Sequence, residues 1–205
     1  MRVISTSEVI DINDACVGIV SNDPLFTEGV KGLLKLCRSD IAPGTCPVMQ
    51  SKILFLDLDS LDQSIFEIVR TLTHLSYEQT YRVVFWTTNQ HDYTLNFLRT
   101  IENASFISKN AQLEPIKKAM QAVLRGEIFI SPAIDGMFRE SNKPGNISEE
   151  TFTILDNMMS GVRVKRIAAN LQVADKSIYS KMRQFRGRLA LMRKSDFLSF
   201  IHEIS

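Results

Sequence analysis

The sequence predicts two domains, an α/β domain built on a parallel sheet and then an all-α domain of four short helices. Three observations carry this. Over the first two thirds, short apolar runs alternate with segments whose apolar residues recur at helical spacing, the pattern of a parallel sheet covered on both faces. The cluster "SNKPGN" at 141–146 interrupts both periodicities and reads as the heart of a linker. Beyond it, three helical patterns are separated by tight turns, and the third is strongly basic.

Each element has its own local reason. After an N-terminal extension over 1–15, "ACVGIV" is the first strand. Pro24 suits a helix start, and Leu25, Phe26, Val30, Leu33, Leu34 and Cys37 follow at helical spacing. Between Leu34 and Ile53 the chain is short and turn-rich, too cramped for a full strand and helix. "KILFLDLD" is a strand, "FEIVRTLTHL" a helix, "RVVFWTT" a strand, "YTLNFLRTI" a helix, "SFISK" a strand and "LEPIKKAMQAVLRGE" the last helix of this domain. The α/β domain is placed at 1–135, the linker at 136–146 and the helical domain at 147–205. There Ser148 is an N-cap for a helix through Met159, and Gly161 suits its stop. "VKRIAANL" is a second helix, "QVAD" a tight turn, "KSIYSKMRQFRGRLAL" a third helix and "KSDFLSFIHEI" a fourth. That arrangement describes a helix-turn-helix DNA-binding unit.

Composition narrows the function classes. No apolar run approaches the ~18 residues of a membrane span, and "MRVISTSEVIDINDA" is too polar and acidic for a secretory signal, so a cytoplasmic protein is expected. Cys16, Cys37 and Cys46 are odd in number and lack ligand spacing, which favours reduced packing residues. Charge is unevenly spread. Residues 1–146 hold 14 Lys+Arg against 17 Asp+Glu, whereas 147–205 hold 10 against 6. Seven bases between Lys176 and Lys194 meet no acid, so a polyanion partner is indicated over a merely solvated basic face. His74, His91 and His202 stand far apart and read as surface or helix-end residues, Trp86 as sheet core, and Met158 and Met159 as packing residues. No Gly-rich phosphate loop, zinc pattern or nucleophile motif is present, so no enzyme, catalytic residue or cofactor is expected.

Several segments resemble one family, the bacterial response regulators of the NarL/FixJ type, with a receiver domain followed by a LuxR-type helix-turn-helix. "GIVSNDPLFTEGVKGLL" is similar to the family's first strand and helix, "ILFLDLDSL" to the strand that ends in the phosphoacceptor aspartate, and "LRGEIFISPAI" to the last receiver helix and its exit. "GVRVKRIAANLQVADKSIYSKMRQFRGRL" resembles the LuxR-type helix pair along its full length and is the most specific match. A looser likeness is to enterobacterial auxiliary regulators of the Rcs type, which have a similar layout and poor receiver motifs. The resemblance implies a receiver-like, flavodoxin-like parallel sheet.

Carried over by position, the resemblance puts the phosphoacceptor at Asp57, the switch hydroxyl at Thr87, the switch aromatic at Phe106 and the phosphate-pairing lysine at Lys109. Asp57 would attack a phosphoryl donor, Thr87 would hydrogen-bond the phosphoryl oxygens and Lys109 would neutralise them. The family keeps two acids for Mg²⁺ where this chain has Ser21 and Asn22. Magnesium binds weakly without carboxylates, so no metal is expected and the phosphoryl cycle loses its counterion. Asp23 and Asp59 are neighbouring carboxylates, but Asp23 would need a backbone shift to face the site.

In the basic helix, Lys176, Ser177, Tyr179, Ser180, Lys181 and Arg183 occupy the half that would enter a major groove, with Lys181 and Arg183 suited to guanine edges or phosphates. Arg186, Arg188 and Lys165 suit phosphates, while Ile178, Met182, Phe185 and Leu189 should pack inward. The expectation is a sequence-specific transcription regulator whose pseudo-receiver serves dimerisation or partner binding, with double-stranded DNA and a like or unlike regulator as partners. Two alternatives stay open: a phosphorylation-dependent response regulator, and a protein that sequesters another regulator by heterodimerisation without binding DNA.

Overall fold

The computed structural model describes residues 7–12, 15–39, 52–78, 81–88, 91–138, 145–191 and 193–205. The cramped stretch expected before Ile53 falls mostly at 40–51, and most of the expected linker at 139–144; these, with Cys46, lie outside the described residues. By compactness the chain divides into two units, one of Met1–Asp62, Leu75–Gln90 and Asn103–Met137, the other of Gln63–His74, His91–Glu102 and Phe138–Ser205.

The first unit holds a five-stranded sheet in the order β1-β2-β3-β4-β5. The strands are β1 (Ser7–Ile12), β2 (Ala15–Val20), β3 (Lys52–Asp57), β4 (Tyr81–Thr87) and β5 (Ser105–Ser108). β2 to β5 pair in parallel, as the alternating sequence pattern requires. β1 corrects the expectation: the N-terminal extension contains a strand, which pairs antiparallel with β2 from Ser7↔Val20 to Ile12↔Ala15. It takes the edge beside β2, where a flavodoxin-like 2-1-3-4-5 sheet carries a parallel strand. Beyond β5, the chain after the last sheet helix returns as Phe129 O and Ser131 N, which bond the Phe106 N–H and C=O at 2.8 Å each. That edge is therefore covered.

Helices α1 (Pro24–Ser39) and α4 (Leu113–Leu124) pack on one sheet face, where Val30, Leu34, Cys37, Ala119, Met120 and Val123 meet Val17, Ile19, Ile53, Phe55, Val84, Trp86 and Ile107. Phe26 stands edge-on to Trp86 with ring centroids 5.3 Å apart. The intervening residues Val20, Leu56, Phe85 and Phe106 alternate to the opposite face and are also buried. Helix α2 (Ile65–Glu78) links β3 to β4, α3 (Asp92–Leu98) links β4 to β5, and a single turn, α5 (Pro132–Asp135), follows α4.

The C-terminal helices are α6 (Glu149–Met159), α7 (Val164–Asn170), α8 (Asp175–Arg188) and α9 (Lys194–Ile204). The Ser148 hydroxyl accepts from the Thr151 N–H at 3.3 Å, capping α6. Three of these helices stop the same way, with a left-handed residue after the cap and two backward hydrogen bonds. Gly161 does this for α6 at φ +73°, Gln172 for α7 at φ +55° and Ala190 for α8 at φ +54°. After α7, the Val173 N–H reaches the Ala168 carbonyl at 3.0 Å and the Gln172 N–H the Ala169 carbonyl at 3.2 Å. This turn sets α8 against α7. Ile178, Met182, Phe185 and Leu189 are buried, together with Phe152, Leu155, Ile167 and Phe200. In the same unit Phe97 of α3 stands edge-on to Phe200 at 5.3 Å and to Phe185 at 6.4 Å, and Phe66 of α2 edge-on to Phe152 at 5.7 Å.

Candidate functional site

Parallel strands in register bring their carboxyl ends to one edge, and side-chain alternation decides what points there. Ser21 and Asp57 continue the parity of Ile19 and Phe55, and Lys109 that of Ile107, so all three project on the α1/α4 face just past the core. Asp57 has no exposed surface. Both its oxygens are occupied: Oδ2 accepts the Ser21 hydroxyl at 2.9 Å, and Oδ1 accepts the Asp59 backbone N–H at 3.2 Å and is ion-paired with the Lys109 ammonium. The Lys109 ammonium also lies 4.9 Å from the Phe26 ring centroid, so the ring face adds to the carboxylates that hold its charge.

Ser21 does more than replace an acid. Its oxygen also lies 3.0 Å from the Ser60 oxygen and accepts the Asp23 N–H at 2.9 Å. Asn22 is exposed, giving its backbone N–H to Ser60 at 2.9 Å and its side-chain amide to Asp62 at 3.3 Å. Asp23 turns to α1, where its Oδ1 accepts the Leu25 N–H at 2.9 Å. It acts as a helix cap and leaves Asp59 as the second carboxylate beside Asp57.

Thr87 is buried, and its hydroxyl donates to Asp59 Oδ1 at 2.7 Å. The Thr88 N–H donates to Asp59 Oδ2 at 2.8 Å, and Lys109 Nζ lies 3.4 Å from the same oxygen. Burial pushes the Asp59 carboxyl up, but the Thr87 hydroxyl, Thr88 and the Lys109 charge outweigh it and hold the group below its ordinary range. Phe106 is buried with its ring centroid 5.3 Å from that of Phe85. Ser21, Asp57, Thr87 and Lys109 are thus brought together, Asn22 joins them through its backbone N–H on Ser60, and Phe106 packs against Phe85. Ser60 was not singled out from sequence, and no sequence signal marks it.

On α8, Lys176, Tyr179, Ser180 and Arg183 are exposed at i, i+3, i+4 and i+7 and form one stripe, which Gln184 extends. Tyr179 keeps 63% of its surface exposed although it is aromatic. Ser177 is half-buried in the first turn. Lys181 departs from the stripe: half-buried, it is ion-paired with Glu150 of α6. Arg186 turns towards α9, donating to the Leu191 carbonyl at 3.3 Å and lying 5.6 Å from the Phe197 ring centroid. Arg188 is exposed and reaches the Asn146 carbonyl at 3.4 Å. Lys165, with Arg163 and Arg166, is exposed at the start of α7.

No family model and no curated protein matches the chain. Solved structures do. A structure of two RcsB dimers bound to two parallel DNAs matches with a TM-score of 0.51 at 15% identity, covering 95% of this chain and 100% of that one. RcsB from Salmonella enterica serovar Typhimurium, bound to promoter rprA in the presence of phosphomimetic BeF3-, matches with a TM-score of 0.51 at 16% identity, covering 94% and 100%. The fold is similar to that of these RcsB chains. The likeness runs through both the receiver-like α/β domain and the helix-turn-helix domain, and at this identity it concerns the fold. Among the described residues, no helix is long and apolar enough to cross a membrane.

Proposed function

We propose that this chain is a sequence-specific DNA-binding transcription regulator whose receiver-like domain works without a phosphoryl group and serves for dimerisation or partner binding. The observation that carries the first part is the exposed, acid-free stripe of Lys176, Tyr179, Ser180, Arg183 and Gln184 on the second helix of a helix-turn-helix. An exposed tyrosine flanked by bases suits groove edges and phosphates, whereas a purely solvated face has no use for it. The RcsB structures of the same fold are DNA complexes, which supports the reading. Lys165, Arg166 and Arg188 would supply phosphate contacts, and a dimer would present two α8 helices to successive half-sites.

Phosphorylation independence is supported by Asp57, whose two oxygens are both held and wholly buried. A nucleophile in that state must break its bonds to Ser21 and Lys109 before it can attack, and with Ser21 and Asn22 in place of acids the pull on a divalent ion that would assist is weak. Asp57 and Asp59 share the single Lys109 ammonium instead.

The test has two arms. A duplex selected from a random pool is titrated against salt with wild type and Arg183→Ala; a loss of roughly 1–3 kcal/mol is expected if Arg183 reads a base. Equal binding by both proteins across the titration would remove α8 as the reading helix, and an absence of any duplex-specific binding would favour the sequestering alternative. In the second arm the protein is incubated with a small phosphodonor and Mg²⁺. Poor labelling is expected; efficient labelling abolished by Asp57→Asn would establish the phosphorylation-dependent alternative.

A further inference from the structure

Three donors of different chemistry converge between the ends of β4 and β5, and one side chain takes them all. The Thr87 hydroxyl (2.7 Å), the Thr88 N–H (2.8 Å) and the Lys109 ammonium (3.4 Å) are directed at the two oxygens of Asp59. A hydroxyl, an amide and an ammonium around one point make a site for an oxyanion. The turn that carries Asp59 does not need its carboxylate. It is closed by backbone, with the Leu58 N–H on the Trp86 carbonyl at 3.0 Å and the Ser60 N–H on the Asp57 carbonyl at 3.3 Å. The Asp59 N–H is anchored to Asp57, which leaves the side chain directed across to β4. The carboxylate therefore serves the donors.

We propose that these donors form an oxyanion site whose resident ligand is the chain's own Asp59 carboxylate, so that the groups a phosphoryl group on Asp57 would draw on are already filled from within. This rests on the phosphorylation-independent reading of the receiver-like domain and gives it a cause: Thr87 and Lys109 are kept in place permanently by an internal anion. Lys109 then bridges two carboxylates, which lets Asp57 and Asp59 stand side by side without a metal. An external oxyanion binds here once Asp59 is removed.

The test uses the full chain as wild type and Asp59→Gly, with sodium acetate, sodium phosphate or sodium chloride at equal ionic strength. Acetate restores the atoms the substitution deletes. Two signals are read, the thermal midpoint from the fluorescence of Trp86, the single tryptophan, and the ¹H–¹⁵N position of the Thr88 amide. Asp59→Gly should melt lower than wild type in chloride. Acetate and phosphate should then raise its midpoint beyond their effect on wild type, by about 3 °C at ten times the dissociation constant. Its Thr88 amide should move saturably with acetate, while that of wild type stays fixed. Asp59→Asn, which keeps the shape and blocks entry, should show no acetate response and serves if the glycine variant does not fold. An Asp59→Gly protein indifferent to both oxyanions, a wild type that responds equally, or an Asp59→Asn protein that responds to acetate would overturn the proposal. Efficient phosphodonor labelling of wild type alongside an acetate response in Asp59→Gly would instead sink the phosphorylation-independent reading and leave the three-donor site standing.

Discussion

Replacing Lys109 by Met keeps an unbranched apolar stem and removes the charge that lies between Asp57 and Asp59 and over the Phe26 ring. Removing one partner of a fully buried ion pair costs about 3–5 kcal/mol, because the other charge is left uncompensated. Asp57 is fully buried, but the Lys109 side chain is 21% exposed, and Asp57 retains the Ser21 hydroxyl and the Asp59 N–H. Those two features lower the expected cost to about 2–4 kcal/mol. Urea unfolding followed by Trp86 fluorescence reports on the sheet unit, and the midpoint should fall by roughly 1 M or more. In an Asp57→Asn background the same substitution leaves no buried charge at position 57. Its cost should shrink there, giving a coupling of about 1.5–3 kcal/mol. A cost below about 0.5 kcal/mol, or an undiminished cost in the Asp57→Asn background, would refute the view that Lys109 is the counterion of a closed network.

Other outcomes follow from the same contacts. Ala190→Gly should stabilise the C-terminal helices by about 0.5–1 kcal/mol in thermal unfolding, since Ala190 sits at φ +54° where glycine carries no Cβ penalty. Asp59 is held below its ordinary range in the folded chain, so its contribution is fully present above the unfolded carboxylate range and is lost as pH falls through the folded value. Acid titration of wild type against Asp59→Asn should therefore differ below about pH 4 and run parallel from about pH 5 to 8. Lys181→Ala should cost about 0.5 kcal/mol of stability through its lost pair with Glu150, whereas Arg183→Ala, fully on the exposed stripe, should leave stability unchanged and weaken duplex binding.

The helical domain was the more legible part. Apolar residues at helical spacing placed Ile178, Met182, Phe185 and Leu189 inside, and Ser148 and Gly161 marked the ends of α6 by chemistry that is local. The stops after α7 and α8 were less legible, because Gln172 and Ala190 take a left-handed conformation that neither residue advertises; a tertiary turn imposes it. β1 escaped notice since "SEVIDI" carries two acids and is recruited by main-chain pairing to an edge, which side-chain pattern does not report. Sequence put Ser21, Asp57, Thr87 and Lys109 at strand ends, and alternation turned Ser21, Asp57 and Lys109 to one face. What it left out was the pairing: Lys181 looked like a free base until Glu150, far away in the chain, came to meet it, and Asp59 looked like a spare metal ligand until Thr87 and Thr88 claimed it. Such pairings are long-range, and no spacing rule encodes them.

In the proposed function this chain reads DNA through α8 with no phosphoryl group on Asp57. Genome-wide occupancy, measured in cells that lack the native chain and carry wild type, Asp57→Asn or Arg183→Ala at equal abundance, tests it most directly. Discrete wild-type sites are expected, the same sites retained by Asp57→Asn and those sites lost or weakened roughly 5-fold or more by Arg183→Ala. Loss of the sites in Asp57→Asn together with their retention in Arg183→Ala would contradict it.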